Sequence, residues 1–106
     1  MIIIIDIGHP PRKPDLVERE LQDAIEKVRN SPTSRIVKVV HGNGAATRTT
    51  VRNWAYRTRQ SIRATISGEN YNLFDAATQE MRIECGQYMD PDLGRGNKGI
   101  TIIWVK

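Results

Sequence analysis

Four short segments rich in isoleucine and valine alternate along this chain with three longer segments of helical periodicity. The predicted strands span residues 2–7, 35–40, 62–66 and 100–105, and the predicted helices span residues 15–30, 46–59 and 72–85. This βαβαβαβ order is typical of an α/β fold, in which crossover helices join the strands. We expect a two-layer sandwich with a four-stranded mixed sheet, in which the first two strands are parallel and at least one later pair is antiparallel.

The predicted elements also carry local expectations. The first strand lacks apolar–polar alternation, which indicates burial on both faces. Asp15 and Glu18 resemble a capping box at the start of the first helix. Asn72 is predicted to cap the third helix, whose apolar stripe includes Phe74 and Met81.

The composition fits one domain covering residues 1–106. Apolar residues make up 39% of the chain, which is enough for one core. The single cysteine excludes an intramolecular disulfide framework and a multi-cysteine zinc site. No apolar run approaches the roughly 20 residues of a membrane span, and no basic residues precede the opening isoleucines as in a signal peptide. We expect a cytoplasmic, monomeric protein that makes no contact with membranes.

The charge is distributed unevenly, although the net charge is only +4. Residues 27–68 contain nine Lys or Arg and no Asp or Glu, whereas residues 69–94 contain six acidic residues and one arginine. This uneven distribution of charge predicts a positive face that binds a polyanion such as nucleic acid, and a negative face elsewhere. The alternative is a solvated arginine-rich surface that is balanced by an acidic helix.

Two predicted strands end in residues suited to proton transfer. Asp6 and His9 follow the first strand, and His41 follows the second. In parallel α/β units the carboxyl ends of neighbouring strands meet at one edge, where ligands collect. A histidine beside a carboxylate can transfer protons at neutral pH, so Asp6, His9 and His41 are the candidate catalytic residues. Each also has an ordinary structural interpretation, and no ligand spacing supports a metal site built from them.

The second strand leads through Gly42, Asn43 and Gly44 into a helix. The glycines permit a tight turn, and the helix start presents unpaired N–H groups to an anion. The lysine of a Walker loop is absent, and a short connection between strand and helix is the alternative. We include Gly42, Asn43 and Gly44 among the candidate nucleic-acid-binding residues.

Basic side chains near this turn complete the candidate phosphate site. Arg48, Arg52 and Arg59 fall on one face of the second predicted helix, and no acid lies within four residues of any of them. Guanidinium groups bind phosphate in a bidentate manner. Arg95 and Lys98 lie in a glycine-rich loop that is a second candidate contact, with a solvated surface loop as the alternative.

Together these motifs resemble those of the Smr (small MutS-related) domain family. His41-Gly42-Asn43-Gly44 matches the family's histidine-glycine-x-glycine motif, and Arg48 and Trp54 follow with family-like spacing. Thr101 lies near the start of the last strand, as in the family. The first family motif, leucine-aspartate-x-histidine-glycine, is altered here, because Gly8 stands at its histidine position and His9 at its glycine position. The segment at about 68–90 resembles a helical insertion.

The resemblance implies a fold similar to the C-terminal domain of the third bacterial translation initiation factor. It also implies nucleic-acid binding, endonuclease action in several members and no firm metal requirement; no cofactor is expected. The first hypothesis is therefore an endonuclease that cleaves DNA or RNA in repair, recombination or mRNA quality control. The alternatives are a nucleic-acid-binding module that has lost the chemistry, and an adaptor that docks on a ribosome or a repair complex.

Overall fold

The computed structural model describes residues 2–10 and 12–106. The strands are β1 (Ile2–Asp6), β2 (Ile36–Val40), β3 (Ile62–Ser67) and β4 (Ile100–Val105), and the helices are α1 (Pro14–Arg29), α2 (Ala45–Arg57) and α3 (Ala76–Cys85). Short 3-10 turns at Arg59–Ser61 and Gly68–Asn70 flank β3. The predicted βαβαβαβ order is confirmed.

The four strands form one mixed sheet in the order β1-β2-β4-β3. β1 is parallel to β2, with Asp6 opposite Val40. β4 is antiparallel to both β2 and β3, and Thr101 lies opposite Val39. The carboxyl ends of β1 and β2 therefore meet the amino end of β4 at the same edge of the sheet.

Both faces of the sheet are covered. On one face, Val17 and Leu21 of α1 and Trp54 of α2 pack against Val37 and Val39 of β2. The opposite face carries the buried side chains Tyr71, Met81, Ile102 and Trp104, which belong to β4, to α3 and to the segment before α3. No helix within residues 2–10 and 12–106 has the length and apolarity to cross a membrane.

The prediction that the first strand is buried on both faces is wrong for one of its isoleucines. Ile3 and Ile5 pack against the core beneath α1 and α2. Ile4 points to the other face and is 62% exposed. β1 is an edge strand, so neighbouring chain covers it less completely than it covers β2 and β4.

Helix starts differ from the predicted caps. α1 begins after Lys13 with Pro14 in its first turn, so Asp15 lies inside the helix and caps nothing. α3 is capped by Asp75, which accepts a hydrogen bond from the Thr78 backbone N–H at 2.9 Å. Asn72 instead accepts the Phe74 N–H in a turn before the helix, and Phe74 is 95% exposed rather than part of the apolar stripe.

Candidate functional site

Three turns pack directly on one another at the edge formed by β1, β2 and β4. A Cβ atom on Gly8 would lie only 2.6 Å from the carbonyl carbon and oxygen of His41, so the turn after β1 touches the turn after β2. The Gly99 carbonyl accepts hydrogen bonds from the backbone N–H groups of His41 at 2.9 Å and Gly42 at 3.0 Å. The two predicted strand-end motifs therefore form one continuous surface with the start of β4.

Asp6 and His9 form an exposed pair on this surface. Asp6 Oδ1 accepts the backbone N–H groups of Gly8 at 3.0 Å and His9 at 3.1 Å, and both carboxylate oxygens lie 3.2 Å from His9 Nδ1. Desolvation opposes ionisation here, but these hydrogen bonds and the nearby His9 ring hold the pKa of Asp6 below its ordinary value. The carboxylate accepts from Nδ1–H, so the other ring nitrogen, Nε2, is the one available for proton transfer.

The turn that carries this pair is held by Arg12, which also pairs with a residue of α1. Arg12 donates from Nη1 to the Asp6 backbone carbonyl at 2.7 Å. The guanidinium of Arg12 also lies 3.5 Å from a carboxylate oxygen of Glu20 in α1. Arg12 thus fixes the end of β1, a role for which the sequence motifs gave no signal.

His41 is buried, in contrast to the exposed Asp6 and His9. The side chain is 2% exposed, and its Nδ1 lies 2.8 Å from the Gly42 carbonyl oxygen while Nε2 lies 2.9 Å from Thr101 Oγ1. A carbonyl only accepts, so Nδ1 carries the proton and Nε2 accepts from the Thr101 hydroxyl. Burial lowers the pKa of His41, with help from the positive charge of Arg48. Because both nitrogens are engaged, His41 holds the turn in place and does not present a nitrogen for proton transfer.

The turn into α2 has the predicted features of an anion site. Gly42 adopts a positive φ of 74°, which a glycine accepts without strain, and a Cβ atom at this position would lie 3.9 Å from Cε1 of the His9 ring. Asn43 and Gly44 are exposed. Gly44 occupies the N-cap position, where no side chain caps the helix, and the first turn of α2 contains no acidic residue. The first N–H groups of α2 therefore have no partner within the helix and no side-chain cap.

Two of the three candidate arginines share one acidic partner. Arg48 Nη2 lies 2.7 Å and 2.9 Å from the two carboxylate oxygens of Glu69, and Arg52 Nη2 lies 3.6 Å from one of them. Arg59 lies beyond the end of α2, with its guanidinium 4.2 Å above the ring of Tyr56. The prediction that Arg59 lies on the second helix is wrong, because α2 ends at Arg57 and the chain continues as a 3-10 turn.

The glycine-rich loop is held against the same edge. Asn97 donates to Asp92 Oδ1 at 3.1 Å and accepts the Gly99 N–H at 2.8 Å. Arg95 and Lys98 are exposed on this loop. Because Gly99 contacts the His41 turn directly, the two basic side chains extend from a loop fixed to the candidate site.

A buried ionic network beneath this loop has no counterpart in the sequence motifs. Lys38 Nζ lies 2.8 Å from Asp90 Oδ1 and also contacts Asp92. Only 6% of the Lys38 side chain and 3% of the Asp90 side chain are exposed, and the Tyr71 hydroxyl donates to Asp90 Oδ2 at 2.9 Å. Burial by itself would lower the pKa of Lys38, but the two carboxylates raise it, so the lysine stays charged. The sequence feature that could have indicated this network is the position of Lys38 in the middle of the valine-rich strand β2.

Long-range pairing also changes the picture of two oppositely charged faces. Four acidic residues of the segment 69–94 pair with basic residues of the segment 27–68. These acids are Glu69, Glu84, Asp90 and Asp92. The acidic segment therefore folds back onto the basic one and neutralises part of it, because ion pairing across the fold is not limited to residues close in sequence.

Asp6 and His9 are the members of the predicted trio that meet at the surface. His41 contributes its backbone to the same edge, while its ring points inward to Thr101. Among the described residues, no group of three or more His, Cys, Asp or Glu side chains is arranged to hold a metal ion.

Comparison with solved structures identifies the architecture. The chain is similar to the crystal structure of the Smr domain of Thermus thermophilus MutS2, with a TM-score of 0.61 and 18% sequence identity over 98% of each chain. Scans against protein-family models and curated protein sequences find no match. The resemblance inferred from the His41–Gly44 motif is thus confirmed at the level of structure, and the chain has the fold of an Smr domain.

Proposed function

We propose that this Smr-like domain binds DNA or RNA through backbone phosphates at the edge where β1, β2 and β4 meet. The observation that carries the proposal is the direct packing of the Gly8 turn on the His41 turn, which sets the exposed Asp6–His9 pair beside the start of α2. An anion at this edge would meet N–H groups and a positive helix end, next to a group able to transfer a proton.

Basic side chains around the edge would contact successive phosphates of the nucleic-acid backbone. Arg48 and Arg52 lie on α2, and Arg95 and Lys98 lie on the fixed loop before β4. Contacts of this kind are independent of base sequence and release counterions. The proposed interface therefore recognises the backbone and gives no preference between individual bases.

Asp6 and His9 would supply the chemistry of an endonuclease. In this scheme the Nε2 atom of His9 accepts a proton from an attacking water molecule, whose oxygen forms the new bond to phosphorus. The bond between phosphorus and the leaving oxygen breaks, and that oxygen takes a proton from solvent water. Asp6 holds the ring by its Nδ1 side and stabilises the positive charge that develops on it. Arg48 and Arg52 would stabilise the extra negative charge on the phosphate.

One observation favours a second candidate, a domain that binds nucleic acid without cleaving it. His41 is buried with both nitrogens engaged, so one of the two histidines considered for proton transfer is not available. Under this alternative the same edge binds phosphate, and the partner is a nucleic acid held within a ribosome or a repair complex.

A titration tests the binding that both candidates require. We expect the purified domain to bind short labelled DNA or RNA more weakly as salt rises, and Arg48→Ala and Arg52→Ala each to reduce the slope against log salt concentration by about 1. Arg59→Ala is the control, because its guanidinium stacks on Tyr56 and donates to the Tyr56 backbone carbonyl, whereas Arg48 and Arg52 pair with Glu69. Absence of binding to both DNA and RNA at low salt would overturn the proposal.

A further inference from the structure

The carboxylate of Glu69 occupies the position between the two arginines at which a phosphate would bind. We infer that Glu69 is an internal competitor for the nucleic-acid backbone and that a ligand phosphate must displace it from Arg48 and Arg52. This inference rests on the proposed nucleic-acid binding and adds a residue that sets its strength and selectivity.

The contacts resemble those of a bound anion. One guanidinium nitrogen of Arg48 donates to both oxygens of Glu69, at 2.7 Å and 2.9 Å, and Arg52 approaches one of the same oxygens at 3.6 Å. Carboxylate and phosphate use the same donors of a guanidinium group. A phosphate cannot engage these donors while Glu69 holds them, and the two anions would repel each other at this distance.

The chain presents Glu69 from a fixed position. Glu69 lies in the 3-10 turn Gly68–Asn70, which follows directly after β3. A Cβ atom on Gly68 would lie 1.7 Å from the carbonyl oxygen of Asn97, so this turn is pressed against the loop that precedes β4. The backbone of Glu69 is therefore positioned by the sheet and by the loop, and displacement involves the side chain alone.

Glu69 remains an anion under ordinary conditions. The hydrogen bond from Arg48 holds the pKa of the Glu69 carboxyl below its usual value, with a further contribution from the charge of Arg52. Protonation near neutral pH does not release the arginines, so release depends on a competing anion.

Such competition favours ligands that carry several linked phosphates. A single phosphate would have to displace Glu69 unaided, whereas a polynucleotide can place neighbouring phosphates near the start of α2 and near Arg95 and Lys98. Linked contacts raise the effective concentration of the displacing phosphate. Glu69 thereby selects a polyanion over free phosphate or a mononucleotide.

The test compares two variants with the same change in net charge. Glu69→Gln removes the competitor, and Glu84→Gln removes a carboxylate that pairs with Arg63 on the opposite face of the sheet, where Arg63 lies over Trp104. Binding of a short fluorescein-labelled single strand and of a labelled duplex is measured at two salt concentrations. Thermal melting of each variant verifies folding, and Glu69→Ala serves as a second removal of the carboxylate.

We expect Glu69→Gln to bind about threefold to tenfold more tightly than the wild type, which is the effect of freeing two partly exposed arginines. Its salt dependence should stay close to that of the wild type, since the same two arginines contact phosphate in both complexes once Glu69 has been displaced. Glu84→Gln should bind like the wild type. Inorganic phosphate should inhibit binding to Glu69→Gln at lower concentration than binding to the wild type.

The outcomes separate this inference from the proposed function. If the wild type binds and both glutamine variants bind equally well, nucleic-acid binding stands and the role of Glu69 is refuted. If Glu69→Gln and Glu69→Ala fold and bind more weakly than the wild type, Glu69 positions the arginines and does not compete with phosphate. If no form of the protein binds either labelled strand, both the proposed function and this inference fail.

Discussion

Gly8 and the carbonyl group of His41 are in such close contact that a Cβ atom at position 8 would lie 2.6 Å from the His41 carbonyl carbon and oxygen. This contact places the Asp6–His9 pair beside the start of α2. It also explains why a glycine stands where the Smr motif has a histidine, since a side chain there would push the two strand ends apart.

Gly8→Ala should therefore destabilise the domain by about 1–3 kcal/mol, the usual cost of inserting a methyl group into a filled space. Gly44→Ala is the control, because nothing lies within 4 Å of its Cβ position. Glycine is preferred to alanine at an N-cap, so we expect a smaller loss there, of about 0.5–1 kcal/mol. Urea unfolding of both variants measures the difference. Equal stability of the two variants would show that the turns do not pack as described.

Exchanging the two residues of the first motif should not recover the family arrangement. A Gly8→His, His9→Gly double variant places a large ring against the His41 carbonyl, so we expect it to be less stable than Gly8→Ala. Urea midpoints of the three proteins give the order. A double variant as stable as the wild type would mean that the turn can accommodate the histidine-glycine order of the family motif.

Stability should fall in mildly acidic solution because of His41. Burial holds the pKa of His41 in the folded state below its ordinary value of 6.5, so protons bind more readily to the unfolded chain. The stabilisation is complete above about pH 6.5 and is lost as the pH falls toward the folded-state pKa. We predict that the free energy of unfolding declines as the pH falls below about 6.5.

The variant His41→Gln should flatten this decline. It should also be less stable at neutral pH, by about 1–3 kcal/mol, because the buried partners Thr101 and Gly42 lose their hydrogen bonds. His9→Gln removes the exposed histidine instead and should retain the decline. Denaturant unfolding across this pH range distinguishes the variants, and a His41→Gln profile parallel to that of the wild type would contradict the assignment.

The ionic network beneath the last loop should be costly to break. Lys38→Met leaves the buried carboxylate of Asp90 and the half-buried carboxylate of Asp92 without their cation, and we expect a loss of about 3–5 kcal/mol in the free energy of unfolding. Lys27→Met makes the same chemical change at an exposed position of α1 and should cost about 0.5 kcal/mol or less. Similar losses in the two variants would show that the network is not structural.

The order of elements could be predicted because each depends on local pattern. Runs such as Ile36–Val40 carry β-branched residues, and α1 carries an apolar stripe with helical spacing. The meeting of the Asp6 and His41 turns at one edge followed from the expectation that β1 and β2 are parallel neighbours. Local pattern and the rules of α/β topology were sufficient for these features.

The remaining features depend on contacts between distant residues. Glu69 accepts a hydrogen bond from Arg48, which is 21 positions away in the sequence, and Thr101 is hydrogen-bonded to the ring of His41, 60 positions away. A motif shows which residue types are present but not whether a ring faces solvent or the interior. The motif therefore led to the prediction that His41 is catalytic, although its ring is buried. Arg59 was misplaced for a smaller reason, because helix ends are set by a balance of weak interactions and α2 stops two residues earlier than its pattern suggested.

Cleavage of nucleic acid by the Asp6–His9 pair is measured most directly by incubating supercoiled plasmid and structured RNA with the purified domain, with and without chelator. We predict that the wild type cuts one of these substrates in both conditions. His9→Ala and Asp6→Asn should each slow cutting by about 10²- to 10⁴-fold, the usual contribution of a proton-transfer group, while Arg59→Ala should cut at nearly the wild-type rate. No cutting by the wild type, or equal cutting by His9→Ala, would contradict it.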